Sequence, residues 1–335
     1  MFLSIVKQIK NRWKNNFWLS LELLLVFCLV WYIVDYLFVL NYNRRIPSYI
    51  DIENTYRIDI ALLPETHPEY DESDSDTTSL IENFYRIVDR IQFHSQVEVV
   101  GVSFFRTYPG SGSYNGRQFI NPTDTSKFIQ TQSFVVAPVG DYFRVFRHTT
   151  KEGKKILSMD DIDWEDPKAI VVSKIVEDVL FQGQAAVGKT LTPIRGNSAD
   201  DLTIKGVMGD LKRFNKDRPS PVVFFFQRIS GENIKRADIS IRFGKKLSSV
   251  ELASFKDEML RELRIGNYHL KEIVSYQKVV DDFNRREGSV IKDRTYMVLI
   301  LFFLLNILLC VMGTFWYRVN FRREEIGLFY CEYFY

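Results

Sequence analysis

Two long apolar runs stand near opposite ends of this chain and decide what it can become. Residues Phe17 to Leu40 read FWLSLELLLVFCLVWYIVDYLFVL, and residues Tyr296 to Tyr317 read YMVLILFFLLNILLCVMGTFWY. A helix needs roughly 20 apolar residues to cross about 30 Å of hydrocarbon, and each run supplies them. Two crossings place both termini on one side of a membrane and Asn41 to Thr295 on the other.

The flanking charges give the orientation. Lys7, Lys10, Arg12 and Lys14 precede the first run with no acidic residue among them, and Arg318, Arg322 and Arg323 follow the second. Basic residues next to a span are retained in the cytoplasm, so both termini are expected there. Arg44, Arg45, Arg285, Arg286, Lys292 and Arg294 lie on the opposite flanks and weaken the signal for the second run. A cleaved signal peptide would have a shorter apolar core ending in small residues; this one ends in Tyr36, Leu37, Phe38 and Leu40, which predicts an anchor. Trp13, Trp18, Trp31, Tyr32, Tyr36, Tyr296, Trp316 and Tyr317 cluster at the edges of the runs as an interfacial belt would. Phe2, Val6, Ile9 and Trp13 recur at helical spacing, so residues 1–16 read as a cytoplasmic amphipathic segment.

The middle of the chain offers little for catalysis. A net charge of +2 gives no global attraction for nucleic acid. Cys28 and Cys310 lie in the runs and Cys331 in the tail, so the central region is expected to fold without disulfides or cysteine-held metal. His67, His94, His148 and His269 show no zinc-binding spacing, and no nucleophile-elbow motif occurs. The loop Pro64 to Thr78 is acidic but lacks the glycine and distal glutamate of a calcium loop. No enzymatic activity, cofactor or metal is expected of this chain.

One motif match is refused. GQAAVGKT, with Gly183, Gly188, Lys189 and Thr190, fits the phosphate-loop pattern. Such a loop needs a buried strand before it and a helix after it, whose N-terminal N–H groups hold phosphate. Here KIVEDVLF before it reads as helix, and Pro193 just after it opposes one. The segment is expected to be a turn entering a strand.

Periodicity divides the central region. Alternating Asn54 to Leu63 predicts a strand, Leu80, Phe84, Ile87, Val88 and Ile91 a helix over 79–93, and Val97 to Phe105 a second strand. The order returns near the end: a strand over 237–243, a helix opening at Ser248, and a strand over 268–276. Strand–helix–strand on both sides of an insertion predicts a split α+β lobe, about 51–105 and 237–290, with one sheet and its helices on one face. The insertion, about 106–236, predicts a mostly β second lobe with strands near 133–138, 169–172, 202–208 and 221–227 and a short helix over 173–181. Within the apolar runs, Glu22 and Asn306 are costly in lipid and are read as groups that face a partner helix.

The segment after the second run is RVNFRREEIGL, Arg318 to Leu328. It resembles the R-x-x-E-I-G-x-R-x-x-L-G-A segment that follows the second span in MacB/FtsX-like permeases of ABC transporters. The order of parts is also similar: basic N-terminus, span 17–40, large exported region 41–295, span 296–317, then 318–335 as a coupling segment. TYRIDIAL, DYFRVF, AIVVSKIVEDVLF with GKTL, and IKGVMGDLKRF resemble the family's periplasmic core domain, with the split lobe as its porter-like part. The resemblance implies a multi-pass protein of a bacterial inner membrane, paired with a second permease copy and a cytoplasmic ABC ATPase. ATP-driven closure would be transmitted through the spans to the periplasmic domain, for export or extraction of a substrate. It also implies an ATPase contact at Arg322, Arg323, Glu324, Glu325 and Gly327. The family continues with two further spans where this sequence ends in FYCEYFY, so the chain is expected to be an N-terminal half, apparently truncated. Basic flanks alone would account for Arg322 and Arg323 through anchoring. The competing readings are a two-span ligand-binding protein and an adaptor without transport activity.

Overall fold

The computed structural model describes residues 13–47, 49–111, 115–153, 155–194, 201–212, 217–286 and 289–333, with some side chains in the first and last helices outside that description. Two units are distinguished: a helical pair from the two ends of the chain, and the domain Arg44–Glu287.

In the helical unit, the first apolar run lies on α1 (Trp13–Arg45). Its stretch Leu24–Arg45 is, among the described residues, the one long and apolar enough to cross a membrane. The second run lies on a helix covering Ser289–Tyr333, numbered α7 below. Tyr36 and Tyr296 bring the two helices together, with ring centroids 4.2 Å apart.

The domain is an α/β structure on one ten-stranded sheet. Its first part comprises β1 (Thr55–Leu62), α2 (Thr77–Gln92) and β2 (Val97–Phe104). Asp76 starts α2 by accepting the N–H groups of Thr78 and Ser79 at 2.8 and 3.1 Å, two of the donors that a helix start leaves orphaned. Leu80, Phe84, Ile87, Val88 and Ile91 then form its buried face.

The insertion follows with β3 (Gly116–Asn121), β4 (Asp124–Gly140), α3 (Tyr142–Val145), β5 (Ala169–Ser173), α4 (Lys174–Phe181), β6 (Thr190–Pro193), β7 (Leu202–Met208) and β8 (Val222–Phe226). The chain then closes with β9 (Ala237–Phe243), α5 (Ser249–Glu262), β10 (Tyr268–Ser275) and α6 (Tyr276–Arg286), ahead of α7. Ser248 and Glu251 form a reciprocal capping box at the start of α5.

The sheet runs β10-β1-β9-β2-β4-β3-β6-β7-β5-β8, with β8 pairing back onto β4. The first four strands are antiparallel and come from the two split halves. Ile58, Val100, Val102, Ile239, Ile241 and Phe243 project from one face onto α2 and α5, where Phe84, Phe255 and Met259 fill the core. The insertion does not stand apart as a separate lobe. Its pairings close a ring of six strands, and β4 also joins β2, so both parts share one sheet. A second core, around Tyr142, Phe143, Phe146, Phe224 and Tyr276, fills the junction, and a third packs α4 on the ring.

Candidate functional site

Alternation along the strands creates the site. In β1, Ile58 faces the core, so Arg57 and Asp59 face the other way. In β9 the same parity sends Asp238, Ser240 and Arg242 to that opposite face. The second core and α6 cover one end of this face, through Tyr276 and Val279. The other end is open, and a cavity of about 1220 Å³ lies between it and the start of the insertion.

Its walls are strongly basic. Arg57, Arg106, Arg117, Lys235, Arg236, Lys271 and Arg286 line it against two carboxylates, Asp59 and Asp238. The chain as a whole is nearly neutral, so this excess is local. Arg57 is committed: its Nε and Nη2 donate to the two Asp59 oxygens at 2.5 and 2.6 Å, and its Nη1 donates to the Tyr108 hydroxyl. Burial works to lower the Arg57 pKa, but the bond to Asp59 and the neighbouring Tyr108 raise it overall. Arg117 lies over the Phe225 ring at 4.6 Å and Arg236 over Phe105 at 5.4 Å. Among the described residues, no carboxylate pairs with Arg117, Lys235 or Lys271, and Arg106 interacts electrostatically with Asp238.

Asp238 is half-buried and accepts the Arg106 backbone N–H at 2.9 Å. Burial pushes its carboxyl up to about 6, against the pull of that N–H and of Arg57. Ser133, 4% exposed, also lines the cavity, and its hydroxyl has no hydrogen-bond partner. The arrangement is suited to holding negative charge.

Sequence reasoning missed this cleft. Its cations come from β1, β3, β10, α6 and two connecting segments, so no local motif gathers them. The alternation of Arg57 and Asp59 against Ile58 and Ile60 was the one available signal.

The refused phosphate motif lies between α4 and β6. Gln182 closes α4 in the left-handed region, Gly183 continues with φ of 76°, and Thr190 opens a strand. Several of the N–H groups that would cradle phosphate are spent internally. Ala186 N donates to Glu177 Oε2 at 2.8 Å, Gly188 N to the Ile204 carbonyl at 2.8 Å, and Lys189 N to the Ala186 carbonyl at 3.0 Å. Lys189 Nζ sits over the Phe181 ring at 4.9 Å. In the acidic loop, Asp71 and Asp76 cap the short helix Glu72–Asp74 and α2.

The segment expected to contact an ATPase continues α7 without a break through Arg322, Arg323, Glu324, Glu325 and Gly327. Of these side chains Arg323 alone is described, and it is exposed. The Glu22 side chain lies outside the described residues. Asn306 is exposed and donates to the Phe302 carbonyl of its own helix at 2.9 Å.

No protein-family model matches the chain, and no curated protein matches it. Solved structures do. The extracellular domain of the noncanonic ABC-type transporter YknZ from Gram-positive bacteria is 12% identical, with a TM-score of 0.37, over 65% of this chain and 100% of that one. A domain of a putative permease protein from Porphyromonas gingivalis is 15% identical, with a TM-score of 0.37, over 67% and 91%. The periplasmic region of MacB from Actinobacillus actinomycetemcomitans is 13% identical, with a TM-score of 0.38, over 70% and 94%.

Proposed function

We propose that this chain is a permease-like subunit of an ABC transporter of the MacB/FtsX-like kind. It spans a bacterial inner membrane with both termini in the cytoplasm, displays Arg44–Glu287 on the periplasmic side, and acts with a second permease copy and a cytoplasmic ATPase.

The observation that carries this reading is the unbroken helix α7. Its 45 residues run from Ser289 past the second apolar run and through the Arg322–Gly327 segment. At 1.5 Å per residue it is roughly 68 Å long, against about 30 Å of hydrocarbon. A continuous helix of that length can convey a push from a cytoplasmic ATPase toward the domain without a hinge. The resemblance of RREEIGL to the family's coupling segment supports the same end of the lever.

The test reverses Glu324 and Glu325 to Lys in the full chain and measures ATPase activity recovered with the protein from detergent-extracted membranes. Loss of that activity with unchanged protein yield is expected; undiminished recovery would remove the coupling contact. Labelling with a membrane-impermeant thiol reagent, at a cysteine placed at Ser79 in intact spheroplasts, tests the topology. A shielded Ser79 position overturns it. The second reading, a two-span ligand-binding or adaptor protein, is favoured by the basic cleft alone and predicts no associated ATPase.

A further inference from the structure

We propose that the basic cleft of the domain Arg44–Glu287 binds an acidic peptide segment in extended form. The span of the cleft is the first reason. Its lining comes from β10, β1, β9, β4 and β3, and the sheet places β2 between β9 and β4. Five inter-strand spacings of about 4.8 Å give roughly 24 Å from Lys271 on β10 to Arg117 on β3. One phosphate or carboxylate cannot meet cations so far apart. An extended peptide covers that distance with about seven residues. The cavity also exceeds the usual range of about 300–1,000 Å³ for compact small-ligand sites.

The second reason is the pattern of charge. Arg117, Lys235 and Lys271 carry no carboxylate partner among the described residues, so each is available to an incoming anion, while Arg106 lies in the field of Asp238. Arg guanidinium groups donate to carboxylates in a planar two-pronged geometry. Asp59 and Asp238 lie between these cations. Two acidic groups in the wall repel a densely charged chain such as polyphosphate. A peptide meets them with backbone N–H donors and spaces its own carboxylates among the cations. Asp238 titrates near pH 6, so mild acid makes the wall more positive. The orphan Ser133 hydroxyl adds a polar group without a partner on the cleft wall.

The cleft belongs to the domain, so peptide binding does not require an ATPase to associate with the chain. The test uses the full-length protein in phosphatidylcholine nanodiscs with a fluorescein-labelled Glu–Ala alternating peptide of about eight residues, long enough for the cleft. Saturable anisotropy is expected, weakening with added salt as exposed charges are screened. Arg117 and Lys271 are exposed, so their reversal to Glu leaves the cores intact; it is expected to weaken binding roughly tenfold or more, equivalent to about 1.4 kcal/mol. Arg117→Ala with Lys271→Ala is expected to fall between the two, with unfolding midpoints unchanged in both variants. Equal affinity of wild type and the reversed variant overturns the proposal. So does equal binding of a Lys–Ala peptide, tighter binding of polyphosphate of the same charge, or binding seen only in nanodiscs of anionic lipid. If wild type recovers an ATPase that Glu324→Lys with Glu325→Lys loses while peptide binding fails, the cleft reading falls and the transporter reading stands; saturable peptide binding with no ATPase recovered separates them the other way.

Discussion

Arg242 and Asp51 tie the segment that enters the domain to the middle of its sheet. The Arg242 side chain is 1% exposed. Its Nη1 donates to Asp51 Oδ2 at 3.2 Å and its Nη2 to the Asp51 carbonyl at 2.5 Å. Nη1 also reaches the Glu53 carbonyl at 2.9 Å, and Nε the Val145 carbonyl at 2.6 Å. One guanidinium thus joins β9, the stretch 51–53 before β1, and α3 in the insertion. This strand face would otherwise present a buried charge to the second core, and the fork geometry of Arg satisfies it.

Replacing Arg242 is therefore expected to loosen this entry segment and the domain together. Arg242→Ala leaves three carbonyls without their donor, and an unsatisfied buried acceptor costs roughly 1–3 kcal/mol; Asp51, a third exposed, keeps Arg147 as a partner. Arg242→Lys is expected to recover only a minor part, because one ammonium cannot reach all four acceptors. Denaturant unfolding measures the loss, and limited proteolysis is expected to cut first within residues 44–53. An Arg242→Ala variant as stable as wild type would show that these bonds contribute nothing net.

His148 predicts a pH dependence. Both of its ring nitrogens are buried without partners, among Tyr142, Phe143, Phe146 and Phe224. Burial lowers its pKa from 6.5 to about 3, so the folded state holds it neutral. The unfolded chain then binds the proton more readily. Stability is complete above about pH 6.5 and declines as pH falls from there toward 3, by about 1.4 kcal/mol per pH unit from this group. His148→Phe keeps a ring in place and removes the titration. Unfolding midpoints at pH 7, 5.5 and 4.5 are expected to fall less steeply in the variant; identical slopes would contradict the assignment.

Gly140 predicts a steric effect at the seam between the two parts of the sheet. Its φ is +65°, and a Cβ there would lie 2.1 Å from the Val100 carbonyl oxygen. That oxygen already accepts the Asp141 N–H at 2.7 Å. The obstacle is backbone, which cannot swing aside as a side chain could. Gly140→Ala is expected to cost more than the roughly 1–2 kcal/mol of left-handed strain alone, measured as a drop in unfolding midpoint. An unchanged midpoint would mean that β2 and β4 part easily.

Much of this architecture was legible in the sequence because it rests on local pattern. The amphipathic period of 80–91 and the capping signal at Ser248 mark α2 and α5, and the alternation of 54–63 contains β1. The short strand β3 was not foreseen: Gly116 to Asn121 is half polar, with only two residues buried. The four-residue β6 was foreseen only as the strand that the refused motif's turn enters. β4 extends nine residues N-terminal of the expected start at Ser133, because KFIQTQ is largely exposed and reads as loop. The sharing of one sheet by both parts depends on pairings between β4, β2 and β8, and long-range register leaves no local mark. The cleft was hidden for the same reason: its charges converge only after the strands assemble.

The loop that imitates a phosphate site carries the last prediction. Glu177, 2% exposed, accepts the Ala186 N–H at 2.8 Å through Oε2 and the Lys151 ammonium at 2.8 Å through Oε1. A protein carboxylate thus occupies the place where the loop's backbone would meet an anion, and added nucleotide would have to displace it from a buried site. Magnesium–ATP is therefore expected to leave the unfolding midpoint of the purified chain unchanged, since only a ligand that binds the folded state raises it. Glu177→Ala strands the buried Ala186 N–H and is expected to cost roughly 1–3 kcal/mol. Lys151→Ala leaves the Glu177 carboxylate, its side chain 3% exposed, without its cation, and an uncompensated buried charge is expected to cost more, up to roughly 3–5 kcal/mol. Glu177→Gln keeps an acceptor for Ala186, removes the buried charge and lets the partly exposed Lys151 return to water, so it should cost least. A midpoint raised by magnesium–ATP, and abolished by Lys189→Ala, would restore the phosphate reading that this geometry opposes.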